Sequence, residues 1–421
     1  MSKINFIFLS AQFNIKNIVI EYEIEEFIDY MRIRGLPNHA KQIFYSLTSN
    51  FNMESDKYII FFDIGCNLDN FEILNSLDKK YLYDISNKNA KMIVLCNDTI
   101  PSHYDEDSTV FKVIKSFFEK NDIHSSDVKF LFHESILDCD ISNFNKLFIE
   151  ADFFNYQAAL IYSERKNHDL ESIKNLILFG RRYYRPKHFL TLNNNMKEHR
   201  IELLFFLLKN KILDMGLTSW FPGQEPKDQN RENFDYEKFL RRELLYDEYN
   251  AYIEEVKNIV PVSLDHKNEG RQDFLNPLLH MASYFDIITE SNWGPSGYDN
   301  DFYIKKIHIT EKLWKPVNTM QPFIVISVKN YLKKLREWGF KTFEGWIDES
   351  YDELETYEDR KKVIYKEILR LCNMSKREID DWYWELEPII VHNFKHFEVY
   401  VEREYKKIEN LIHSCWVELG E

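Results

Sequence analysis

The stretch HITEKLWKPVNTMQPFIVIS, residues 308–327, holds the pattern that decides how the second half of this chain folds. An apolar, strand-like run, FYIKKIHI, leads into it and stops at Thr310. Glu311 and Lys312 follow at once, then a short helical pattern that contains Pro316, and then the strand-like run PFIVIS. Strands that alternate with helices in this way indicate a parallel α/β sheet.

The charged pair falls in the first turn of the predicted helix, where Thr310 is a suitable N-cap. A helix N-terminus has unpaired N–H groups and about half a positive charge, so it attracts phosphate. Lys312 opposes this dipole, and Pro316 costs about 3 kcal/mol inside a regular helix. Two unfavourable choices in one short element indicate a ligand site, in which Lys312 neutralises a diphosphate and Glu311 accepts hydrogen bonds from sugar hydroxyls. The alternative is a solvated Glu–Lys pair at a surface junction, since first-turn glutamates are common.

The composition is that of a folded protein with more than one core. A chain of 421 residues with 44% hydrophobic residues predicts two lobes. Its net charge of −15 argues against a protein that mainly grips nucleic acid, although a local basic patch stays possible. The opening MSKINFIFLSAQF has too short an apolar run for a signal peptide or a membrane span, so we expect a soluble, cytoplasmic protein without a transmembrane segment.

The cysteines are scattered and form no C-x-x-C pair. This spacing predicts reduced thiols in a cytosolic protein, with neither a disulfide framework nor a zinc site. The five positions are Cys66, Cys96, Cys139, Cys372 and Cys415.

The first half of the chain alternates between apolar runs and amphipathic segments. INFIFLS, DKYIIFFDIGCN, AKMIVLCNDT and SDVKFLFHES read as strands of a parallel sheet, and TVFKVIKSFFEKND as a helix. Polar residues just past the strand ends line the ligand crevice of such sheets. Asp63, Asp98 and Glu134 occupy these positions.

A second alternating series begins near residue 186. PKHFLTLNNN, SYFDIITES, FYIKKIHIT, PFIVIS and FKTFEGWI read as strands, with KEHRIELLFFLLKNKIL and VKNYLKKLREWG as helices between them. DESYDELE reads as a loop or as a helix cap, and the residues from 357 onwards as helices. The predicted fold class is α/β, with two Rossmann-like lobes, a cleft between them and C-terminal helices. We expect a first lobe at 1–180, a second at 181–356 and helices at 357–421 that brace the lobes.

These segments resemble the GT-B fold nucleotide-sugar glycosyltransferases. ITEKLWKPVNTMQPFIVIS, followed by YLKKLREWGFKTF and DESYD, is similar to the carboxy-terminal lobe of a group found in bacteria, phages and large viruses. It is more distantly similar to fucosyltransferases, which carry T-E-K before a short helix. KHFLTLNNNMKEHRIELLFFLLKNKILDMGLTSW and YFDIITES resemble upstream parts of the same lobe. The resemblance spans residues 186–355, and the first 180 residues match only in general architecture.

The resemblance implies a donor site in the second lobe. Lys312 and Arg200 would bind the donor diphosphate, and Glu311 the ribose or the donor sugar. Glu290 would be a second donor-side carboxylate, and Thr310 would cap the helix. The plain alternatives are an exposed arginine at position 200 and a solvated carboxylate at position 290. Fucosyltransferases lack the GFKTF…DESYD tail in this form, so the identity of the donor does not carry over.

The predicted reaction moves a sugar from a UDP- or GDP-sugar to a hydroxyl group of a glycan or lipopolysaccharide. The helix N-terminus, Lys312 and Arg200 would neutralise the leaving diphosphate, so we expect a metal-independent enzyme with the nucleotide sugar as co-substrate and no other cofactor. Asp138 and Asp140 have D-x-D spacing, but they fall in a predicted loop of the first lobe.

An inverting enzyme also needs a base that takes the proton of the acceptor hydroxyl. Asp63, Asp98 and Glu134 are the candidate catalytic residues, with Asp63 first because a buried strand and a glycine flank it. His133 is a further candidate, and a retaining enzyme can work without such a base.

GRRYYRPKH, residues 180–188, supports an alternative function. Its basic side chains and two tyrosines could contact phosphates and stack on bases, as in a phage-type glycosyltransferase that acts on a hydroxymethylated DNA base. An inter-lobe linker explains the same residues. A third hypothesis is a non-catalytic two-lobed binding or scaffold protein, with the aromatic C-terminal helices packed on a partner. The basic residues concerned are Arg181, Arg182, Arg185 and Lys187.

Overall fold

The computed structural model divides the chain into two compact units. Unit 1 comprises Met1–Asn167, Lys305–Ile309 and Glu398–Glu421, and unit 2 comprises His168–Ile304 and Thr310–Phe397. The structure describes residues 4–10, 18–22, 57–65, 77–96, 116–133, 150–154, 183–193, 198–219, 275–290, 293 and 307–420, together with single helical positions between 158 and 177.

Unit 1 contains a sheet with the strand order β2-β1-β3-β4-β5-β6 in its described part. The strand β2 pairs antiparallel with β1, and all the other pairs are parallel. The four strands predicted in the first half are confirmed, whereas β2 and β6 were not predicted. The strands are β1 Ile4–Ser10, β2 Ile18–Tyr22, β3 Tyr58–Gly65, β4 Ala90–Cys96, β5 Val128–His133 and β6 Glu150–Phe154.

The central strands of this sheet are apolar on both faces, as a parallel sheet covered by helices requires. Residues 58–61 of β3 and 92–94 of β4 are at most 1% exposed. Continuous rather than alternating burial is why these segments read as uninterrupted hydrophobic runs in the sequence.

Unit 2 contains a parallel sheet with the strand order β10-β9-β7-β8. The chain passes from β7 to β8 on one side and then returns across β7 to β9 on the other. The strand order therefore reverses between β7 and β9, which is where ligands of α/β sheets bind, outside the carboxyl ends of the strands. The strands are β7 Lys187–Leu192, β8 Gly216–Ser219, β9 Ser283–Thr289 and β10 Phe323–Ile326.

The described helices include those predicted for the second half of the chain, and residues 116–120 of the predicted helix TVFKVIKSFFEKND are helical. Thr310 is the N-cap of the helix that contains Pro316. Asp348 caps a short 3-10 helix, Glu349–Glu353, whereas Thr356 caps the long helix that follows. The helices whose bounds the structure describes are α1 Lys79–Ser86, α2 Glu198–Lys209, α3 Pro277–Met281, α4 Glu311–Asn318, α5 Tyr331–Glu337, α6 Tyr357–Cys372, α7 Lys376–Glu385 and α8 Glu387–Glu418.

Two predicted strands are wrong in their described parts. Residues 307–310, the end of FYIKKIHIT, belong to no strand, although Ile307 and Ile309 are buried. FKTFEGWI forms only an isolated bridge between Glu344 and Ile347. Both segments are rich in aromatic and β-branched residues and bury several of them, among them Ile307, Ile309, Phe340, Phe343 and Ile347. Such a composition imitates a strand where no backbone pairing exists. Residues 301–306 lie outside the described part of the chain.

Cys372 and Cys415 are buried and form no disulfide, and burial raises the pKa of Cys372 to about 12. In the part of the chain that the structure describes, we find no helix that is long and apolar enough to cross a membrane.

Candidate functional site

A buried polar cluster lies where the strand order of unit 2 reverses. Thr289 ends β9 and donates its hydroxyl to Asn193, the first residue after β7. Asn193 in turn donates its side-chain amide to the hydroxyl of Thr191, at 3.2 Å. The asparagine-rich loop of the sequence therefore begins by joining the carboxyl ends of β7 and β9.

Glu290 follows β9 directly and is the centre of the cluster. It is completely buried, and its carboxylate accepts the Thr310 amide at 3.0 Å and the Thr310 hydroxyl at 2.7 Å. The hydroxyl of Tyr331 donates to the same carboxylate at 2.9 Å. Burial raises the pKa of Glu290, while the Lys312 ammonium and the Thr310 donors act against this shift. The predicted donor-side carboxylate is thus held by three donors of the protein itself.

Glu311 and Lys312 form an ion pair at the start of α4. The Lys312 ammonium lies 2.8 Å from the Glu311 carboxylate and 3.3 Å from the Thr310 hydroxyl oxygen. Burial by itself would raise the pKa of Glu311, but Lys312 and Lys315 outweigh it and lower the pKa to about 2. The Lys312 side chain keeps 20% of its surface exposed, so its ammonium is the accessible cation of this turn.

The first-turn amides of α4 are largely used inside the protein. The Thr310 amide donates to Glu290, and the Lys312 amide donates to the Thr310 hydroxyl at 3.3 Å. An anion at this helix N-terminus would therefore meet the Lys312 ammonium and the helix dipole rather than these two N–H groups.

Arg200 and His199 lie in the first turn of α2, and both hold the carboxyl end of β9. Arg200 is 3% exposed and donates to the Thr289 carbonyl at 3.1 Å. Burial lowers the pKa of Arg200 to about 10, against the attraction of Glu290 and Glu311, so the guanidinium stays charged at neutral pH. His199 donates from Nε2 to the Glu290 carbonyl at 2.9 Å.

Tyr331, Asn193 and Thr289 belong to the cluster but were not predicted as site residues. Tyr331 is the first residue of α5, just past the carboxyl end of β10. The rule that polar residues past parallel strand ends converge could have selected all three. The strand-end candidates Asp63, Asp98 and Glu134 are charged, whereas these three side chains are neutral.

Of the predicted catalytic residues, the structure describes Asp63, which lies near the carboxyl end of β3 in unit 1. Asp63 is in β3, where its backbone pairs in register with Ser10 of β1 and Leu95 of β4. The strands β3, β4 and β5 are neighbours, so their carboxyl ends share this edge. Asp98 and Glu134, which follow β4 and β5, lie outside the described residues, and so do Asp138 and Asp140. His133 is the last residue of β5.

Arg185 of the basic, aromatic segment is buried, with 6% of its surface exposed. Its guanidinium donates to the Ser283 carbonyl at 2.6 Å and lies 3.9 Å from the ring centre of Tyr383. Arg181 and Arg182 lie outside the described residues.

Lys187 of the same segment donates to the Asp214 carbonyl at 2.5 Å. Tyr183 and Tyr184 are 68% and 58% exposed. Of the basic residues predicted for a nucleic-acid contact, the two that the structure describes thus bond backbone carbonyls of unit 2.

No group of three or more His, Cys, Asp or Glu side chains is arranged to hold a metal ion among the residues described.

Comparisons with known proteins add one similarity. No protein-family profile matches the chain, and no curated protein matches its sequence. Among solved structures, the chain is similar to one described as trehalose-6-phosphate from E. coli bound with UDP-2-fluoro glucose. The two share 11% sequence identity with a TM-score of 0.36, over 92% of this chain and 79% of that chain. The fold and the cluster above are defined by this chain's own residues and do not depend on that similarity.

Proposed function

We propose that this chain is a glycosyltransferase that moves a sugar from a nucleoside-diphosphate sugar to a hydroxyl group of a glycan or lipopolysaccharide. The observation that carries the proposal is the cluster in unit 2 at the reversal of strand order. There a buried carboxylate, Glu290, holds the turn that carries the Lys312 ammonium and the Glu311 carboxylate. An ammonium group that can bind phosphate lies here beside a carboxylate that can accept hydrogen bonds from sugar hydroxyls, at a helix N-terminus. This combination suits a diphosphate that is joined to sugars.

Lys312 and Glu311 would exchange partners when the donor binds. The ammonium would turn from Glu311 to a phosphate oxygen, and the Glu311 carboxylate would then accept hydrogen bonds from ribose or donor-sugar hydroxyls. Glu311 stays ionised to about pH 2, so its carboxylate can accept these hydrogen bonds, and the Lys312 side chain is 20% exposed, so a ligand can reach it. The buried Arg200 guanidinium would add positive potential from behind the turn.

The reaction follows from these charges. The acceptor oxygen attacks the anomeric carbon while the bond to the donor diphosphate breaks, and the bonding electrons leave on the phosphate oxygen. Lys312 and Arg200 would stabilise this charge without a metal ion in the proposed mechanism. A carboxylate at the strand ends of unit 1, Asp63, Asp98 or Glu134, would take the proton of the acceptor hydroxyl. The proposal thus assigns the acceptor to the first lobe, 1–180, the donor to 181–356, and a bracing role to the helices at 357–421.

A thermal-shift screen against UDP-, GDP-, CMP- and TDP-sugars, with and without EDTA, tests the donor assignment. A ligand present at a hundred times its Kd stabilises a protein by about 2.7 kcal/mol, which is readily measured. We expect a shift with a UDP- or GDP-sugar that persists in EDTA. If none of the four shifts the melting temperature, the non-catalytic scaffold becomes the better hypothesis.

Lys312→Ala tests the site itself. The substitution removes a charge-assisted contact to phosphate, which is worth about 1.5–3 kcal/mol, so we expect nucleoside-diphosphate affinity to fall by roughly ten- to a hundredfold. Isothermal titration measures the affinity, and the melting temperature should change far less.

Two variants control for indirect effects of that substitution. Lys362→Ala removes an exposed lysine that pairs with Asp359 at 2.9 Å on α6, and it should leave the affinity unchanged. The double variant Glu311→Gln/Lys312→Ala leaves no unpaired carboxylate behind and should still bind poorly. Unchanged affinity in both Lys312 variants would show that the site assignment is wrong.

A further inference from the structure

We propose that Tyr331 is a positioning residue that sets the Lys312 ammonium through Glu290, and that Glu290 holds this arrangement together rather than binding the donor. The inference rests on the proposed function, because the ligand it concerns is a nucleoside diphosphate. The chain of contacts, called the clamp below, consists of Tyr331, Glu290, Thr310 and Lys312.

The first step is that both carboxylate oxygens of Glu290 accept hydrogen bonds from groups of the protein. One carboxylate oxygen accepts both the Thr310 amide and the Tyr331 hydroxyl, at 3.0 and 2.9 Å. The other oxygen accepts the Thr310 hydroxyl at 2.7 Å. Glu290 has no exposed surface, and Thr310 and Tyr331 are 3% and 1% exposed. A ligand in solvent therefore meets Lys312 before it meets this carboxylate.

The second step follows from the single hydrogen of a hydroxyl group. Because Thr310 donates that hydrogen to Glu290, its lone pairs are left to face Lys312. The Lys312 amide and ammonium both lie 3.3 Å from this hydroxyl oxygen. The orientation of one hydroxyl thus links the buried carboxylate to the accessible cation.

The third step is that the first turn of α5, which carries Tyr331, is fixed by hydrogen bonds of its own. It begins α5, and Asp352 accepts the next two amides of that helix, those of Leu332 and Lys333, at 2.9 Å each. The Tyr331 hydroxyl is therefore brought to Glu290 by the position of a whole helix. The clamp joins the ends of β9 and β10 to the start of α4.

The clamp makes donor binding depend on pH through Glu290. The groups that act on its carboxyl are the Lys312, Arg200 and Glu311 charges and the Tyr331 and Thr310 donors. Burial raises the pKa of Glu290, and a hydroxyl that donates to the carboxylate favours the ionised form. Without the Tyr331 hydroxyl this pKa rises further, so the loss of binding on acidification should begin at a higher pH.

Tyr331→Phe removes the hydroxyl and keeps the ring. Titration of a UDP-sugar and a GDP-sugar, whose doubly esterified diphosphate keeps its charge throughout, across a series from about pH 5 to 8 should show about tenfold weaker binding at neutral pH. The loss of binding in acid, called the acid limb, should begin at a higher pH. Tyr351→Phe is the matched control. Tyr351 is equally buried, at 3% exposed, but its hydroxyl lies 3.4 Å from the Val325 amide, so affinity and acid limb should stay those of the wild type.

Each outcome decides the inference. If Tyr331→Phe binds the nucleotide sugar with wild-type affinity and an unmoved acid limb, the clamp is overturned while the proposed function stands. If the wild type binds neither nucleotide sugar, the proposed function fails and the inference fails with it. Should Tyr331→Phe not fold, Glu290→Gln takes its place, because it removes the titrating group at constant volume. Binding by that variant should lose its acid limb, and an acid limb that persists would contradict the clamp.

Discussion

Glu311 and Glu349 have buried side chains in unit 2, yet their pKa values move in opposite directions. The pKa of Glu311 is lowered to about 2, because the ammonium groups of Lys312 and Lys315 outweigh the effect of burial. The pKa of Glu349 is raised to about 7, chiefly by burial. The Phe343 amide and the Arg336 guanidinium act against this shift. Arg336 lies 3.2 Å from Glu349 and is shared with Asp352 at 3.7 Å, so it compensates neither carboxylate fully.

The raised pKa of Glu349 predicts a stability that falls as pH rises. Between the unfolded value of 4.5 and the folded value of about 7, the native state binds a proton that the unfolded chain has released. The free energy of unfolding should therefore decrease by roughly 1 kcal/mol per pH unit in this interval because of Glu349. Glu349→Gln imitates the protonated form, so its urea unfolding should show a flatter pH dependence than the wild type. Parallel curves for the two proteins would contradict the raised pKa.

At the scale of elements, helix starts differ in whether their caps are local. Ser375 and Glu378 form a capping box at the start of α7, and the S-x-x-E spacing can be read in the sequence. The residue before α5, Asn330, has a φ of 65° and no side-chain cap. Asp352 supplies the cap from 20 positions further along the chain. The start of α5, and with it the placement of Tyr331, therefore depends on a tertiary contact.

Asp352→Ala tests this remote cap. Two amides lose their acceptor in a buried place, so we expect the free energy of unfolding to fall by about 2 kcal/mol, the upper end for helix caps. Asp348→Ala is the control. It removes an exposed cap of the 3-10 helix, which accepts the Ser350 amide at 3.2 Å, and should cost about 0.5 kcal/mol. Equal losses in chemical denaturation would show that Asp352 is no more than an ordinary surface cap.

At the scale of the whole molecule, the sheet of unit 1 contacts residues from the C-terminal end of the chain. Lys91 of β4 and Lys129 of β5 are 4% and 3% exposed, and both pair with Glu418 at the end of α8, at 2.8 and 3.1 Å. Lys91 also pairs with Asp127 at 2.9 Å. The Lys57 ammonium bonds the Gly420 carbonyl at 2.6 Å. Buried lysines in two neighbouring strands thus find a counter-charge some 300 residues away, at separations of 327 and 289 positions.

Glu418→Gln should destabilise unit 1. Removing one partner of a buried ion pair costs about 3–5 kcal/mol, and the 37% exposure of Glu418 reduces this to about 2 kcal/mol. The pKa of Glu418 is lowered by Lys91 and Lys129 in spite of partial burial. Its contribution is therefore present above the unfolded pKa of 4.5 and is lost as pH falls through the folded value. Wild type and variant should accordingly converge in acid.

Glu409→Gln is the control for this prediction. Glu409 pairs with Lys406 on the same helix at 2.5 Å, where the lysine is 59% exposed, so the change should cost less than about 0.5 kcal/mol. If Glu418→Gln costs no more than this control in urea unfolding, the pairs with Lys91 and Lys129 do not stabilise the sheet.

Most strands could be predicted from the sequence because they are buried on both faces and read as continuous apolar runs. β4, β7, β9 and β10 are examples in their described side chains. β2 was missed because IVIEY is a short edge strand that pairs antiparallel with β1, and a run of that length is ambiguous without its partner. Residues 307–310 mislead in the opposite way, since Ile307 and Ile309 are buried by packing although they belong to no sheet.

Local chemistry in the sequence was enough to determine the α/β class, the Thr310 cap and the adjacency of Glu311 and Lys312, because each depends on residues a few positions apart. The tertiary structure decided what Glu290, Arg200 and Tyr331 contact. Glu290 meets Thr310 and Tyr331 across separations of 20 and 41 residues, and Arg200 meets Thr289 across 89. A buried polar group must find a hydrogen-bond partner, but the partner is whichever group the packed strands and helices bring within about 3 Å, and no sequence spacing specifies it.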